Sequence, residues 1–188
     1  MTKVLTIQQF LRFKIWFFSI ICLLIWSLLL WQYFHGGIPD HHFLADKNMP
    51  LVSNGWGALV IPPFVWFLIY RIQKRLFERT DTIDFPYTTL YAWVGALLFG
   101  IALGLSIYYD FKILSGNVPL ILLVFALFIP TYRAEYYLGF VLGLTWYIGG
   151  VLPVVVGSVF LLFSAFVHIY LRKWILYIYN FMKRSIDK

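Results

Sequence analysis

Apolar residues in this chain come in long unbroken blocks, and polar residues are confined to the gaps between them. The blocks fall at about 15–33, 52–71, 87–109, 117–130, 135–151 and 153–171. A backbone in hydrocarbon must satisfy its own hydrogen bonds, which leaves helices or a closed barrel. Barrel strands alternate apolar and polar positions, whereas these runs are continuous, so they read as helices. The pattern predicts an all-α integral membrane protein: a six-transmembrane-helix bundle occupying 1–188 as one domain, with interfacial ends at 1–14 and 172–188.

Local signals refine the elements. Thr6 followed by Gln9 fits a capping box, so a helix is expected to start there and run along the inner surface into the first span. Pro62 and Pro63 remove two backbone donors from the second span and predict a kink near mid-membrane. Lys74 and Glu78 stand four residues apart, which predicts a helical extension past that span before a turn at Pro86. Ala96, Gly100 and Gly104 make a small-residue stripe in the third span, and Gly139 and Gly143 make a second in the fifth. Such faces let helix backbones approach closely, and packing inside the bundle is favoured over homo-oligomerisation through them. The run 117–130 reaches only about 21 Å at 1.5 Å per residue, short of a hydrocarbon core of about 30 Å.

Composition agrees: 62% of residues are hydrophobic, 12% are charged, and the mean hydropathy is +0.81. These values lie outside the range of soluble domains. The first run is longer than a signal-peptide core and no small-x-small site follows it, so it is expected to be retained as a span. A single cysteine, Cys22, rules out an intrachain disulfide framework. The sequence pI near 9.5 raises the question of nucleic acid, but the distribution of charge answers it differently. With the N-terminus inside and six alternating spans, Lys3, Arg12, Lys14, Arg71, Lys74, Arg75, Arg79, Arg133, Arg172, Lys173, Lys183, Arg184 and Lys188 fall on the inner side. Only Lys47 and Lys112 of the 15 basic residues fall outside. This is the positive-inside bias. It predicts both termini in the cytoplasm, a cytoplasmic (inner) membrane location and the lipid bilayer, not nucleic acid, as the partner.

The same topology puts three of the four histidines into the first outer loop, within "FHGGIPDHHFLADKNMPLVSNGWG". Gly36 and Gly37 permit a sharp return after the first span, and Pro39–Asp40 reads as the first turn of a short helix. That helix would place His42 and Asp46 on one face, with His35 reaching over from the coil. His and carboxylate ligands suit a divalent metal such as zinc, with bound water as nucleophile. The expected site is therefore His35, His42 and Asp46 as metal ligands, with Asp40 or Asp110 as base and Ser53 and Asn54 alongside. Loop histidines that are only hydrogen-bonded, or that form a pH-sensitive gate, remain alternatives. Ser53–Asn54 at a span start, near Asp and His, resembles in a handful of residues the ceramidase-like and progestin-receptor-like zinc hydrolases of membranes. Their paired histidines on the last helix are missing, since the sixth span holds only His168, and no family is assigned on it. Arg133 and Glu135 form a second polar candidate, because ionisable groups at membrane depth suggest a pathway. Two functional classes follow: a metal-dependent hydrolase at the outer leaflet, or a small-solute or ion transporter or channel, with an accessory membrane subunit as a third possibility.

Overall fold

The computed structural model describes residues 4–37, 40–42, 51–109, 111, 116–174 and 177, of which 40–42 and 51–52 by backbone alone. Six helices occur among them: α1 (Ile7–Phe34), α2 (Gly57–Leu76), α3 (Tyr87–Tyr108), α4 (Val118–Phe128), α5 (Ala134–Ile148) and α6 (Val151–Phe166). A π-helical stretch, Val167–Leu171, carries α6 onward, so that helix continues without a break to Trp174. Four helices are long and apolar enough to cross a bilayer, namely α1, α2 with its preceding turn, α3 and α6 with its continuation. The fourth and fifth predicted spans appear as shorter helices of 11 and 15 residues, about 17 and 23 Å long.

The predicted capping box opens α1. Thr6 Oγ1 accepts from the Gln9 amide at 3.3 Å, and Gln9 Oε1 accepts from the Thr6 amide at 3.0 Å. Just before it, β1 (Val4–Thr6) pairs antiparallel with β4 (Thr82–Asp84), with Val4 opposite Asp84. This pairing limits the expected extension of the second helix, which runs past residue 71 but not as far as Glu78. The chain leaves α2 at Leu76, so Glu78 lies beyond the helix, because the following residues turn to reach the N-terminal strand. Ile7 N–H donates to Asp81 O at 3.0 Å and ties the two segments together. Pro62 and Pro63 fall in the second turn of α2 rather than at its middle, and the helix runs through both.

The two small-residue stripes meet each other. A Cβ on Gly100 would stand 2.6 Å from Phe140 O and 3.1 Å from Gly143 Cα, and Gly139 and Gly143 lie against the backbone of Trp93 and Leu97. The glycines of α3 and α5 therefore serve a backbone-to-backbone contact within one chain. This contact makes α5 the central helix, with Leu138, Val141 and Leu144 buried. On its other side lies α2, contributing Ile61, Val65 and Leu68 to the same core. Helix α1 packs on α2, where Lys14 Nζ sits 4.0 Å from the centre of the Trp66 ring and 5.5 Å from that of Tyr70. The ring faces supply negative potential to an ammonium withdrawn from solvent.

Candidate functional site

At one end of the bundle, α1, α2 and α5 converge on the polar groups predicted from the loop. Asp40–His42 forms a short strand, β2, antiparallel to β3 (Leu51–Ser53), with Asp40 opposite Ser53 and His42 opposite Leu51. Residues 40–42 are thus strand where a helical turn was expected. Pairing with β3 satisfies backbone groups that one isolated helical turn leaves open. Asp46 and Asp110 lie outside the described residues. His35 caps the C-terminus of α1: its Nδ1 lies 2.9 Å from Trp31 O and its ring stacks on Trp31 at 4.7 Å. Gly36 and Gly37, at φ 118° and 95°, make the predicted return. Among the described residues no three His, Cys, Asp or Glu side chains gather as a metal site.

Ser53 Oγ accepts from the Gly55 amide at 3.3 Å and opens the 3-10 turn Asn54–Trp56. Asn54, 6% exposed, lies directly against Gly149. At φ 75° and beneath that amide, position 149 accepts no side chain. Gln32, Asn54, Thr145 and Gly150 border a void of about 10 Å³ there, close to the space one water needs. Gln32 Oε1 is buried with no partner among the described residues.

At the opposite end, Glu135 occupies the first turn of α5 and is 2% exposed. Arg75 Nη1 donates to its two carboxylate oxygens at 2.9 and 2.8 Å, and Arg75 Nη2 donates to Thr89 Oγ1 at 3.2 Å. Arg133 is the exposed N-cap residue of α5. The predicted Arg133/Glu135 pair is thus divided: Glu135 faces inward to Arg75, and Arg133 faces outward. Between Glu135 and Thr145, the buried face of α5 carries only Leu138, Gly139, Phe140, Val141, Gly143 and Leu144. That buried face therefore offers no polar side chain between the two ends over about 15 Å; the hydroxyls of Tyr136 and Tyr137 lie on the side of α5 that lines the cavity described below. His168 bridges α4 and the continuation of α6: its Nδ1 lies 2.9 Å from Ala126 O, and its Nε2 accepts from Arg172 at 3.1 Å.

A cavity of about 590 Å³ lies between α3, α4, α5 and α6. Its walls are aromatic and aliphatic, including Tyr91, Phe99, Phe125, Tyr137, Phe140 and Phe160, with small residues Gly95, Ala96 and Gly157 between them. Tyr91 and Phe125 are 68% and 46% exposed, so the cavity opens sideways between α3 and α4. Hydroxyl groups sit at the Glu135 end: Thr88, Thr131, Tyr136 and Ser164. No lining residue is charged. Sequence reasoning missed this site because its residues come from four helices that are separated along the chain. The available signal was Gly95, a glycine next to the packing stripe but off its face.

No known protein family, curated protein or solved structure matches the chain.

Proposed function

We propose that the chain is a six-pass protein of the cytoplasmic membrane that holds a lipidic ligand in the cavity between α3 and α6. The crossing count is supported by contacts at both ends of α2. Arg75 near its C-terminus meets Glu135 at the start of α5, and Gly57 at its N-terminus lies against Gly150 just past the end of α5. These contacts support reading α5, short as it is, as a spanning helix. The β1–β4 pairing brings the N-terminus beside the α2–α3 connection, as two crossings require. With the positive-inside bias, a reporter fused after Lys188 should be cytoplasmic, and a cysteine at Asn48 should react with an impermeant reagent from outside. Labelling of Asn48 only after lysis would overturn this topology.

The observation that carries the ligand reading is an uncharged, aromatic-walled cavity of about 590 Å³ with a lateral opening. That volume lies within the roughly 300–1,000 Å³ of small-molecule sites, and the opening faces the acyl chains of the bilayer. A Cβ on Gly95 meets nothing within 4 Å, so Gly95→Leu fills the cavity without a clash. Wild-type protein in mild detergent should retain lipid on native mass spectrometry. Gly95→Leu should lose most of that lipid while keeping its thermal midpoint. Equal retention by both would defeat the reading.

The pairing of Asp40 with Ser53 favours a second reading, a metal-dependent hydrolase at the outer leaflet, since it draws two of the predicted site residues together. Elemental analysis after zinc addition decides it. A stoichiometric metal at pH 8 that is lost at pH 5 and in His42→Ala supports the reading, because imidazole must be neutral to bind. Metal-free protein at pH 8 eliminates it.

A further inference from the structure

The wall of the cavity contains a pair of hydroxyls bonded to each other. Thr131, in the turn before α5, and Ser164, on α6, have their hydroxyl oxygens in direct hydrogen-bond contact, and both residues line the cavity. Ser164 is 5% exposed, so this pair is withdrawn from bulk solvent. Each hydroxyl brings one proton, but the contact between them uses only one. Ser158, on the same helix as Ser164, spends its proton on the carbonyl four residues back, Val154 O. No such bond is present for Ser164. Whichever of the pair donates to the other, one proton remains to donate to a ligand.

The nearby cations are engaged elsewhere or, like Arg133, exposed at the surface. Arg75 is committed to Glu135 and Thr89, and Arg172 is held by His168. A lining whose polar groups are all neutral hydroxyls suits a neutral acceptor, not a phosphate or carboxylate. The aromatic walls suit a flat head. Phe99 and Phe140 stack at 6.2 Å and Phe140 meets Phe160 edge-on at 6.4 Å, offering both faces and edges to a planar ring. Resting on the lipid-cavity reading above, we infer that the ligand is a neutral lipid with a planar, carbonyl-bearing head, the chemistry of a prenylated quinone. The carbonyl accepts from the Thr131–Ser164 pair, and the chain leaves through the opening beside Tyr91 and Phe125.

The test measures equilibrium binding of three probes with the same ten-carbon chain to the full chain in nanodiscs: decylbenzoquinone, decylbenzene and decyl phosphate. Decylbenzoquinone should bind about 5–10 times more tightly than decylbenzene, the margin of one net hydrogen bond of about 1 kcal/mol. Decyl phosphate should not exceed decylbenzene. In Thr131→Val/Ser164→Ala the quinone advantage should vanish while decylbenzene affinity, which also reports that the variant is folded, stays unchanged. Equal binding of quinone and hydrocarbon by the wild type overturns this inference and leaves the cavity reading standing. Preference for decyl phosphate overturns it in favour of an anionic head. Binding of none of the three overturns the cavity reading itself. If the double variant loses all binding, the wild-type comparison of the three probes still decides.

Discussion

Gly100→Leu should leave little folded protein. A Cβ at position 100 would stand 2.6 Å from Phe140 O, 3.1 Å from Gly143 Cα and 3.2 Å from Gly143 C. All three are backbone atoms of α5, so no side-chain rotation relieves the overlap, and α3 and α5 must separate. Overpacking against side chains ordinarily costs roughly 1–3 kcal/mol; a leucine wedged between two backbones should exceed that, against a total stability of about 5–15 kcal/mol. The loss would be wider than one contact, because α5 is the helix on which α2, α3 and α6 all pack. Gly95→Leu, on the same helix but facing open space, is the matched control. Size-exclusion profiles and thermal midpoints in detergent should show Gly100→Leu aggregated or strongly lowered and Gly95→Leu near wild type. A wild-type midpoint for Gly100→Leu would mean that the stripe faces lipid and that the α3–α5 contact is wrong.

That contact was legible in the sequence because it depends on spacing alone. Ala96, Gly100 and Gly104 on one helix and Gly139 and Gly143 on another mark close-approach faces, and these faces meet. The start of α1 was legible for a similar reason: a capping box lies within four residues, and Thr6 and Gln9 form it. Span 87–109 also emerged almost as read, as Tyr87–Tyr108, because Pro86 marks its start. Features decided by residues distant in sequence were not legible. Helix α2 stops at Leu76 because a strand some seventy residues earlier takes up the following segment, and hydropathy carries no trace of that pairing. Pro39–Asp40 has the composition of a helix start, but Asp40 pairs with Ser53 instead. Glu135 stands out in the sequence as an ionisable group at depth, whereas its partner, Arg75, reads only as one inner-side charge. The cavity was invisible because it is a gap among four helices, and only the assembled bundle creates it.

The Arg75–Glu135 pair should prove strongly asymmetric to mutation. Glu135 is 2% exposed, while the Arg75 side chain is 35% exposed. Removing the arginine strands a carboxylate in the interior, a change that typically costs about 3–5 kcal/mol because the remaining charge keeps its desolvation penalty and loses its compensation. Removing the carboxylate strands nothing: the guanidinium, already a third exposed, can turn toward water and headgroups and keep its hydration. Glu135→Gln also retains an amide oxygen to accept from Arg75, so its cost should be nearer 1 kcal/mol, the scale of one net hydrogen bond. The first-turn position of Glu135 in α5 adds a helix-dipole contribution of about 0.3–1 kcal/mol to that loss. Arg75→Ala should therefore be the more damaging single change. Arg75→Ala/Glu135→Gln should be more stable than Arg75→Ala alone, because the second substitution removes the stranded charge. Reversible unfolding in mixed micelles for the wild type, the two single variants and the double variant gives the full cycle and isolates the pair from the packing of each side chain. Additive losses, or an Arg75→Ala variant no weaker than Glu135→Gln, would show that the carboxylate reaches solvent and that this end of α5 is not sealed.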